Sequence, residues 1–148
     1  MPPSTEALDI LVLIVRERTY ALPLAGVVEV MRPLPLRALE GAPAYVLGIA
    51  TIRGQAVPVV DPGQLVAGTP GTPRRFVTVR SGQRLVALAV EAVVGVRQLP
   101  RQALADLPGF LANAAAGALA GLGAPDGEVL ALLDAGKLLP TGLWGELA

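Results

Sequence analysis

The sequence predicts an all-β protein that folds as one domain, with short strands and little helix. Of its 148 residues, 53% are hydrophobic and only 16% are charged, so the chain can bury a sizeable core. Its apolar residues fall in short runs rich in valine and isoleucine, separated by glycine, proline and charged residues, which is typical of strands. Similar runs recur in the same order in the second half of the chain.

Short apolar segments of the first half predict a series of strands. The run "DILVLIV" breaks at Arg16–Thr19 and resumes as "YALPL", which indicates two strands joined by a turn. The segment "VVEVM" predicts a third strand, which ends before Pro33 and Pro35. In "GIATIRGQAVPVVD", residues Gly48–Asp61, two more strands meet at a tight turn, Arg53-Gly54.

The second half begins after "AGTPGTP", Ala67–Pro73, which predicts a surface connection. The segment "RFVTVRSGQRLVALAV" predicts a strand, a Ser-Gly turn and a strand, and "VVGVRQL" predicts another strand. Only Leu99–Leu107, with a proline near its start, and Asp134–Pro140, with an aspartate cap, predict short helical turns. The stretch "LANAAAGALAGLGA" stays ambiguous, because its alanines favour helix and its glycines oppose it.

Two alignments indicate that the halves are related. The segment "ALPLAGVVEVMR" lies over "ALAVEAVVGVRQ", with identical pairs Ala21/Ala87, Leu22/Leu88, Val27/Val93, Val28/Val94 and Val30/Val96. The segment "GIATIRGQAVPVVD" lies over "GLGAPDGEVLALLD" and matches Gly48, Gly54 and Asp61 with Gly121, Gly127 and Asp134. We therefore expect two similar β-subdomains, roughly residues 8–66 and 74–140.

Composition excludes several classes of function. A formal net charge of zero and 3% aromatic residues argue against nucleic-acid binding, which needs excess cations or stacking platforms. The chain has no cysteine and no histidine, which excludes disulfides, thiolate nucleophiles, Cys or His zinc sites and imidazole chemistry. The absence of cysteine fits a reducing cytoplasm. The start "MPPSTEALD" lacks a basic signal region, and the aliphatic run Ile10–Val15 is too short to cross a bilayer.

The turn Arg53-Gly54 departs from the usual chemistry of two-residue hairpins. Such turns prefer Asn or Asp before Gly, because the first position often needs a positive φ. The second half has that preferred pair, Asp126-Gly127, at the equivalent place. The backbone therefore does not require an arginine, which leaves two interpretations: a solvated cation at a loop tip, or an arginine that binds something.

Four segments in order resemble the CheW-like coupling domain family over roughly Ile10–Leu139. "TIRGQAVPVVD", preceded by "APAYVLGIA", is similar to the central family motif, and "YALPLAGVVEVMR" is similar to its second and third strands. "LVALAVEAVVGV" and "VLALLDAGKLL" resemble the family's Val-Asp-x-Val segment and its closing strand and helix. The chain departs from the family at Thr51-Ile52, where Asn-Leu is usual, at Asp61-Pro62-Gly63, where Asp-Leu-Arg is usual, and at Glu91, where Asp is usual.

The resemblance implies two five-stranded SH3-like β-barrels around a shared hydrophobic core, with one or two short helices. It implies one domain over residues 8–140 and flexible termini at 1–7 and 141–148. It further implies a cytoplasmic adaptor with no catalytic residues, metal or cofactor. Such an adaptor bridges the cytoplasmic tip of a chemoreceptor and the regulatory domain of a CheA-type histidine kinase, within membrane-associated receptor arrays. Neither nucleic-acid binding nor direct membrane insertion is expected.

The resemblance also implies candidate site residues. Receptor contact is expected around Val27, Glu29, Gly48, Arg53 and Gly54, and a second partner surface is expected near Val96. Simpler interpretations are that the two valines belong to the core and that Gly48 forms a bulge or barrel corner. The high content of Val, Leu and Ala leads us to expect a partner surface that is apolar and made in part of strand edges.

We expect Arg53 to pair with Glu29 and to present its other donors to a partner. The second half has Gly95 opposite Glu29 and Asp126 opposite Arg53, so it lacks both charges together. The alternative hypothesis is a small β-barrel that binds a ligand, or an enzyme that uses a carboxylate pair. Its candidates are Glu29, Asp61, Glu91 and Asp134.

Overall fold

The computed structural model describes residues 7–67, 71–100, 104–105, 119–123 and 130–134. Within that part the protein is almost entirely β, as predicted. The strands are β1 (Ala7–Val15), β2 (Arg18–Pro23), β3 (Val27–Met31), β4 (Val46–Ile52), β5 (Gln55–Val60), β6 (Arg75–Ser81), β7 (Arg84–Val90), β8 (Ala92–Pro100), β9 (Leu104–Ala105), β10 (Leu119–Gly123) and β11 (Leu130–Leu133).

These strands form two sheets. The six-stranded sheet has the order β8-β1-β2-β11-β10-β9, and the five-stranded sheet has the order β3-β6-β7-β5-β4. The two-residue strand β9 accounts for the sixth strand, and without it the sheets correspond strand for strand. In each sheet a hairpin is extended by one antiparallel neighbour (β8 or β3) and by one parallel neighbour (β11 or β5).

The two halves of the chain exchange their first hairpins. The hairpin β1–β2 lies in the six-stranded sheet with strands of the second half, and β6–β7 lies in the five-stranded sheet with strands of the first half. The parallel contacts occur at equivalent residues, Leu132 beside Ala21 and Val59 beside Ala87. The expected halves, roughly 8–66 and 74–140, therefore do not coincide with the two sheets, although the sequence repeat is visible in the pairing.

The core has three parts, and one of them is shared between the sheets. The shared cluster contains side chains of both, among them Leu11, Leu13, Leu22, Val60, Val77, Val79 and Leu88. A second cluster fills the interior of the five-stranded sheet around Phe76 and Val59, and a third fills that of the six-stranded sheet around Ile10 and Leu130. Successive residues of a strand point to opposite faces, so a strand between two clusters must be apolar on both. This explains the unbroken run at the start of the chain.

The hairpin turns hold residues in the left-handed region of φ. Arg53 has φ +52° and is followed by Gly54 at +79°, which confirms a two-residue turn with a positive φ at its first position. Arg16 and Glu17, which join β1 to β2, have φ values of +51° and +66°. A side chain with a Cβ is strained in this region, so both arginines occupy their turns at some cost in backbone energy.

The predictions of helix were less successful than those of strands. A helix, α1 (Pro62–Ala67), follows Asp61, whose Oδ1 accepts hydrogen bonds from the N–H groups of Gly63 at 3.0 Å and Gln64 at 3.3 Å. An aspartate N-cap followed by proline favours the start of a helix, so the sequence does contain a signal for α1.

The helical turn predicted at Leu99–Leu107 is wrong where it is described: β8 runs to Pro100, and Leu104 and Ala105 pair with β10. That pairing replaces local hydrogen bonds with cross-strand ones. The predicted turn after Asp134, the alanine-rich stretch, the Asp126-Gly127 turn and residues 1–6 and 141–148 lie outside the described residues. No helix in the described segments is long and apolar enough to cross a membrane.

An ion pair links the two sheets beside the shared cluster. Arg16, in the turn of the six-stranded sheet, donates through Nη2 to Oδ2 of Asp61, which directly follows β5 of the five-stranded sheet. The Asp61 side chain is 3% exposed and that of Arg16 is 17% exposed. Arg16 Nη1 also lies 3.7 Å from Oε1 of Glu91, at the crossing from β7 to β8. One guanidinium therefore links its own turn to two other segments of the chain, the end of β5 and the crossing from β7 to β8.

Loss of the Arg16 charge should destabilise the fold. We expect Arg16→Met to lower the free energy of unfolding by about 3 kcal/mol or more, because the buried Asp61 carboxylate loses its counter-charge. Urea unfolding measures this change, and Arg18→Met, at an exposed neighbour, is the matched control. The double variant Arg16→Met with Asp61→Asn should lose less than Arg16→Met alone, since no unpaired charge stays buried. Equal losses for both would contradict the assigned role.

Candidate partner-binding site

Arg53 and Glu29 form a two-pronged ion pair on the surface of the five-stranded sheet. Arg53 Nε donates to Glu29 Oε1 at 2.8 Å, and Arg53 Nη2 donates to Glu29 Oε2 at 3.2 Å. The arginine side chain is 73% exposed, whereas that of Glu29 is 29% exposed. The expected pairing of these two residues is confirmed, in the bidentate geometry that suits a guanidinium and a carboxylate.

The position of this pair follows from the topology of the sheet. Glu29 lies on β3 and Arg53 lies in the β4–β5 turn, and β3 and β4 are the two opposite edges of the five-stranded sheet. The pair therefore joins the edges and closes the sheet on itself. A backbone bridge between Arg37 and Ile49, with reciprocal hydrogen bonds of 2.8 Å, ties the segment after β3 to β4 in the same way.

The backbone of Glu29 is held by a buried threonine, Thr78, which no sequence pattern predicts. The N–H of Glu29 donates to Thr78 Oγ1 at 3.1 Å, and Thr78 Oγ1 donates to the carbonyl oxygen of Glu29 at 3.3 Å. Thr78 is fully buried on β6, and the pairing of β3 with β6 shifts register between Val27 and Glu29. The hydroxyl thus satisfies backbone groups that the register shift removes from the ladder.

The ion pair changes the acidity of its members. The hydrogen bond from Arg53 lowers the pKa of Glu29 below its ordinary value of 4.5, and the positive charge of Arg53 acts in the same direction. Partial desolvation opposes this effect but does not reverse it. The same hydrogen bond and charge raise the pKa of Arg53. At neutral pH the pair is therefore fully ionised.

The other candidate residues occupy different environments. Val27 is half-buried and packs against the shared cluster, as the simpler interpretation of a core valine requires. Gly48 sits at a bulge of β4 with φ +149°, and a Cβ there would lie 2.7 Å from the carbonyl oxygen of Arg37. Gly54 has φ +79° and open space around it. These residues share the five-stranded sheet with the ion pair, whereas Val96 lies on the six-stranded sheet.

Exposed valines lie on the two strands that end their sheets. Val28 and Val30 on β3 are 41% and 44% exposed, and Val94 and Val96 on β8 are each 58% exposed. β3 and β8 are edge strands of the five-stranded and six-stranded sheets. Only Val96 had been singled out from the sequence. The identical pairs Val28/Val94 and Val30/Val96 in the repeat are the sequence signal for the other three valines. An apolar residue that recurs on an exposed edge strand does not pack in the core.

The carboxylates proposed for acid–base work are engaged by arginines or lie apart from one another. Glu29 binds Arg53, and Asp61 and Glu91 both contact Arg16. Asp134 lines a cavity at the end of β11. In the described ranges, no group of three or more acidic side chains could hold a metal ion.

Comparison with known proteins resolves the family. A family model described as the CheW-like domain matches residues 9–142. The chain belongs to the CheW-like family. Protein FrzA of Myxococcus xanthus is 33% identical to it over 129 residues, which cover 80% of this chain and 77% of that protein. The chemotaxis protein CheW of Klebsiella aerogenes is 28% identical over 139 residues, with 92% and 84% covered.

The CheW-like fold is confirmed by a solved structure. The crystal structure of the scaffolding protein TtCheW from Thermoanaerobacter tengcongensis matches with a TM-score of 0.75 at 21% identity, covering 89% of this chain and 97% of that one. The predicted fold, all-β with SH3-like subdomains, is therefore correct.

The acidity of Glu29 provides a direct test of the ion pair. NMR titration should give Glu29 a pKa below 4.5 in the wild type, and a higher one in Arg53→Ala, which removes the donor that favours the carboxylate. The pair's contribution to stability should be complete above the ordinary carboxyl pKa and lost as the pH falls through the lowered one. Arg18→Ala, in the other sheet, should leave Glu29 unchanged. An unaltered Glu29 titration in Arg53→Ala would show that the pair does not form in solution.

Proposed function

We propose that this CheW-like protein is a non-catalytic adaptor that couples chemoreceptors to a CheA-type histidine kinase in the cytoplasm. Relatives named as chemotaxis protein CheW and as a scaffolding protein support a chemotaxis adaptor. The observation that carries the proposal is the exposed Arg53, which is held by Glu29 at the edge of a sheet.

The geometry of Arg53 suits a contact with a second protein. A guanidinium has five N–H donors, and the bonds from Nε and Nη2 to Glu29 leave Nη1 and one Nη2 hydrogen directed elsewhere. Because Glu29 holds the side chain in one orientation, a partner that binds Arg53 has less conformational entropy to remove. We therefore assign Arg53 and Glu29, with Gly48 and Gly54 shaping the turn and strand around them, to the receptor-binding surface.

A second surface, for the kinase regulatory domain, is proposed on the valine edge of β8. Val94 and Val96 are the most exposed large apolar side chains among the described residues. Apolar side chains on an unpaired strand edge favour association with another protein over contact with water. This surface lies on the six-stranded sheet, so the two partners would bind different sheets of one adaptor.

The alternative of an enzyme with a carboxylate pair has less support. Asp61 and Glu91 are brought together, but Arg16 lies between them and binds both. A general acid or base must lie within hydrogen-bond reach of the substrate proton, and here both carboxylates are engaged by the Arg16 guanidinium instead.

The role of Arg53 can be separated from the stability of the fold. We expect Arg53→Ala to leave the melting temperature nearly unchanged, because the pair is exposed, and to weaken binding of the purified receptor tip at least about tenfold. Arg53→Lys should recover only part of the affinity, because an ammonium cannot pair with Glu29 in two-pronged fashion. Isothermal titration calorimetry measures the receptor affinity of both variants.

Two controls sharpen this experiment. Arg18→Ala removes an exposed cation from the other sheet and should leave receptor binding unchanged. Asp126→Ala changes the residue that aligns with Arg53 and should not affect it either. Receptor affinity and kinase activation at wild-type levels in Arg53→Ala would refute the assignment of this surface.

The valine edge makes a different prediction for kinase binding. Val96→Ser should preserve the melting temperature, because the side chain is mostly exposed, and should weaken association with the kinase regulatory domain. Wild-type association should persist in high salt, since an apolar contact is not screened as a charge-steered contact is. Val28→Ser is the matched variant at the β3 edge. Kinase association that disappears at moderate salt would contradict an apolar interface.

A further inference from the structure

The edge strands β3 and β8 contain the same β-bulge. The pairing of β3 with β6 skips one residue of β3, and the residue that follows, Glu29, pairs with Thr78. The pairing of β8 with β1 skips one residue of β8 in the same way, and Gly95 then pairs with Val12. The same two positions of the repeat therefore hold glutamate and threonine in one sheet and glycine and valine in the other.

The two bulges differ in their backbone conformation. Gly95 has φ +148°, in a region that residues with a side chain rarely adopt. A Cβ there would have no heavy atom within 4 Å, so the backbone and not a lack of space calls for glycine. Among the described residues other than glycine, only Arg16, Glu17 and Arg53 have a positive φ, so Glu29 does not. The β3 bulge thus has a form that a residue with a side chain adopts without this strain.

The hydroxyl of Thr78 accounts for this difference. Its Oγ1 accepts a hydrogen bond from the N–H of Glu29 at 3.1 Å and donates one to the carbonyl oxygen of Glu29 at 3.3 Å. Val12, at the equivalent position, has the same branched shape without a hydroxyl. Because Thr78 is fully buried, a valine in its place would leave both backbone groups of Glu29 without this partner, at a cost in free energy.

The bulge also sets the direction of the Glu29 side chain. Successive residues of a strand point to opposite faces, and one extra residue exchanges the faces for the rest of the strand. Before the bulge, Val27 packs against the shared cluster; after it, Met31 packs against the cluster around Phe76. Glu29 follows the bulge and shares the face of Met31. The carboxylate that binds Arg53 therefore owes its direction to the bulge.

We propose that Thr78 is a positioning residue for the Arg53–Glu29 pair: its hydroxyl holds the β3 bulge in the form that presents Glu29 to Arg53. The equivalents of these three residues in the repeat are Val12, Asp126 and Gly95. The hydroxyl, the carboxylate and the guanidinium are therefore absent together from the equivalent positions, as expected of groups that act as a unit. The consequence for receptor binding rests on the proposed function, whereas the effect on the pair itself does not.

The first test is an NMR titration of Glu29 in the full chain without a partner. In Thr78→Val the pKa of Glu29 should rise towards its ordinary value of 4.5, because the carboxylate is no longer held against Arg53. Thr78→Ser keeps the hydroxyl, so Glu29 should titrate as in the wild type. Both variants should melt at a lower temperature, since each loses a buried group, so lost stability alone cannot separate them. A wild-type titration in Thr78→Val, or the same change in both variants, would overturn the proposal.

The second test measures binding of the purified receptor tip at a temperature at which every variant is folded. Thr78→Val should weaken binding at least about fivefold, and Thr78→Ser should bind like the wild type. In an Arg53→Ala background, Thr78→Val should change the affinity by less than about twofold, because it acts through Arg53. An undiminished loss in that background would overturn the positioning role. Wild-type binding by Arg53→Ala alone would instead refute the receptor assignment, and the titration of Glu29 would still decide the role of Thr78.

Discussion

The ion pair between Arg16 and Asp61 is the interaction that holds the two sheets in a defined relation. The shared cluster of aliphatic side chains supplies most of the attraction between the sheets, but apolar burial has no preferred direction. A charge buried beside that cluster does have one, because a carboxylate with 3% exposure tolerates few positions of its counter-ion. The turn of one sheet is thereby anchored to the end of a strand of the other, and Glu91 adds the crossing between them.

The exchange of hairpins ties the two halves of the chain together in a second way. Because β1–β2 and β6–β7 each complete the sheet of the other half, the two halves of the chain cannot come apart without breaking the parallel pairs β11–β2 and β5–β7. The two halves of the sequence differ in charge at three aligned positions. Arg16, Glu29 and Arg53 of the first half stand opposite Gly82, Gly95 and Asp126 of the second, so equivalent places carry different chemistry.

Most strands could be predicted from the sequence because each lies between two apolar clusters or on one of them. The runs at Ile10–Val15 and Val57–Val60 are apolar on both faces for this reason. The turn at Arg53-Gly54 could be predicted because a glycine marks it. The Arg53–Glu29 pair was predictable because the repeat lost both charges together. The exchange of hairpins was not, since periodicity reports which residues are buried and not which strand lies beside them. The roles of Arg16 and Thr78 could not be predicted for the same reason. Their partners are distant in sequence, and neither residue type is unusual in its segment.

An adaptor of the proposed kind, which couples two partners without chemistry of its own, has only geometry and binding energy to work with. One partner can influence the other only if its binding favours one arrangement of the adaptor, or if the adaptor holds both in fixed positions. The arrangement of this CheW-like chain favours the second mode, because the exchanged hairpins, the shared cluster and the Arg16–Asp61 pair leave little freedom between the sheets. The Arg53–Glu29 pair extends the same rigidity to the surface, since it closes the five-stranded sheet and fixes an exposed guanidinium in one step. Movement of a partner bound to one sheet would then reach the other sheet as a rigid-body displacement.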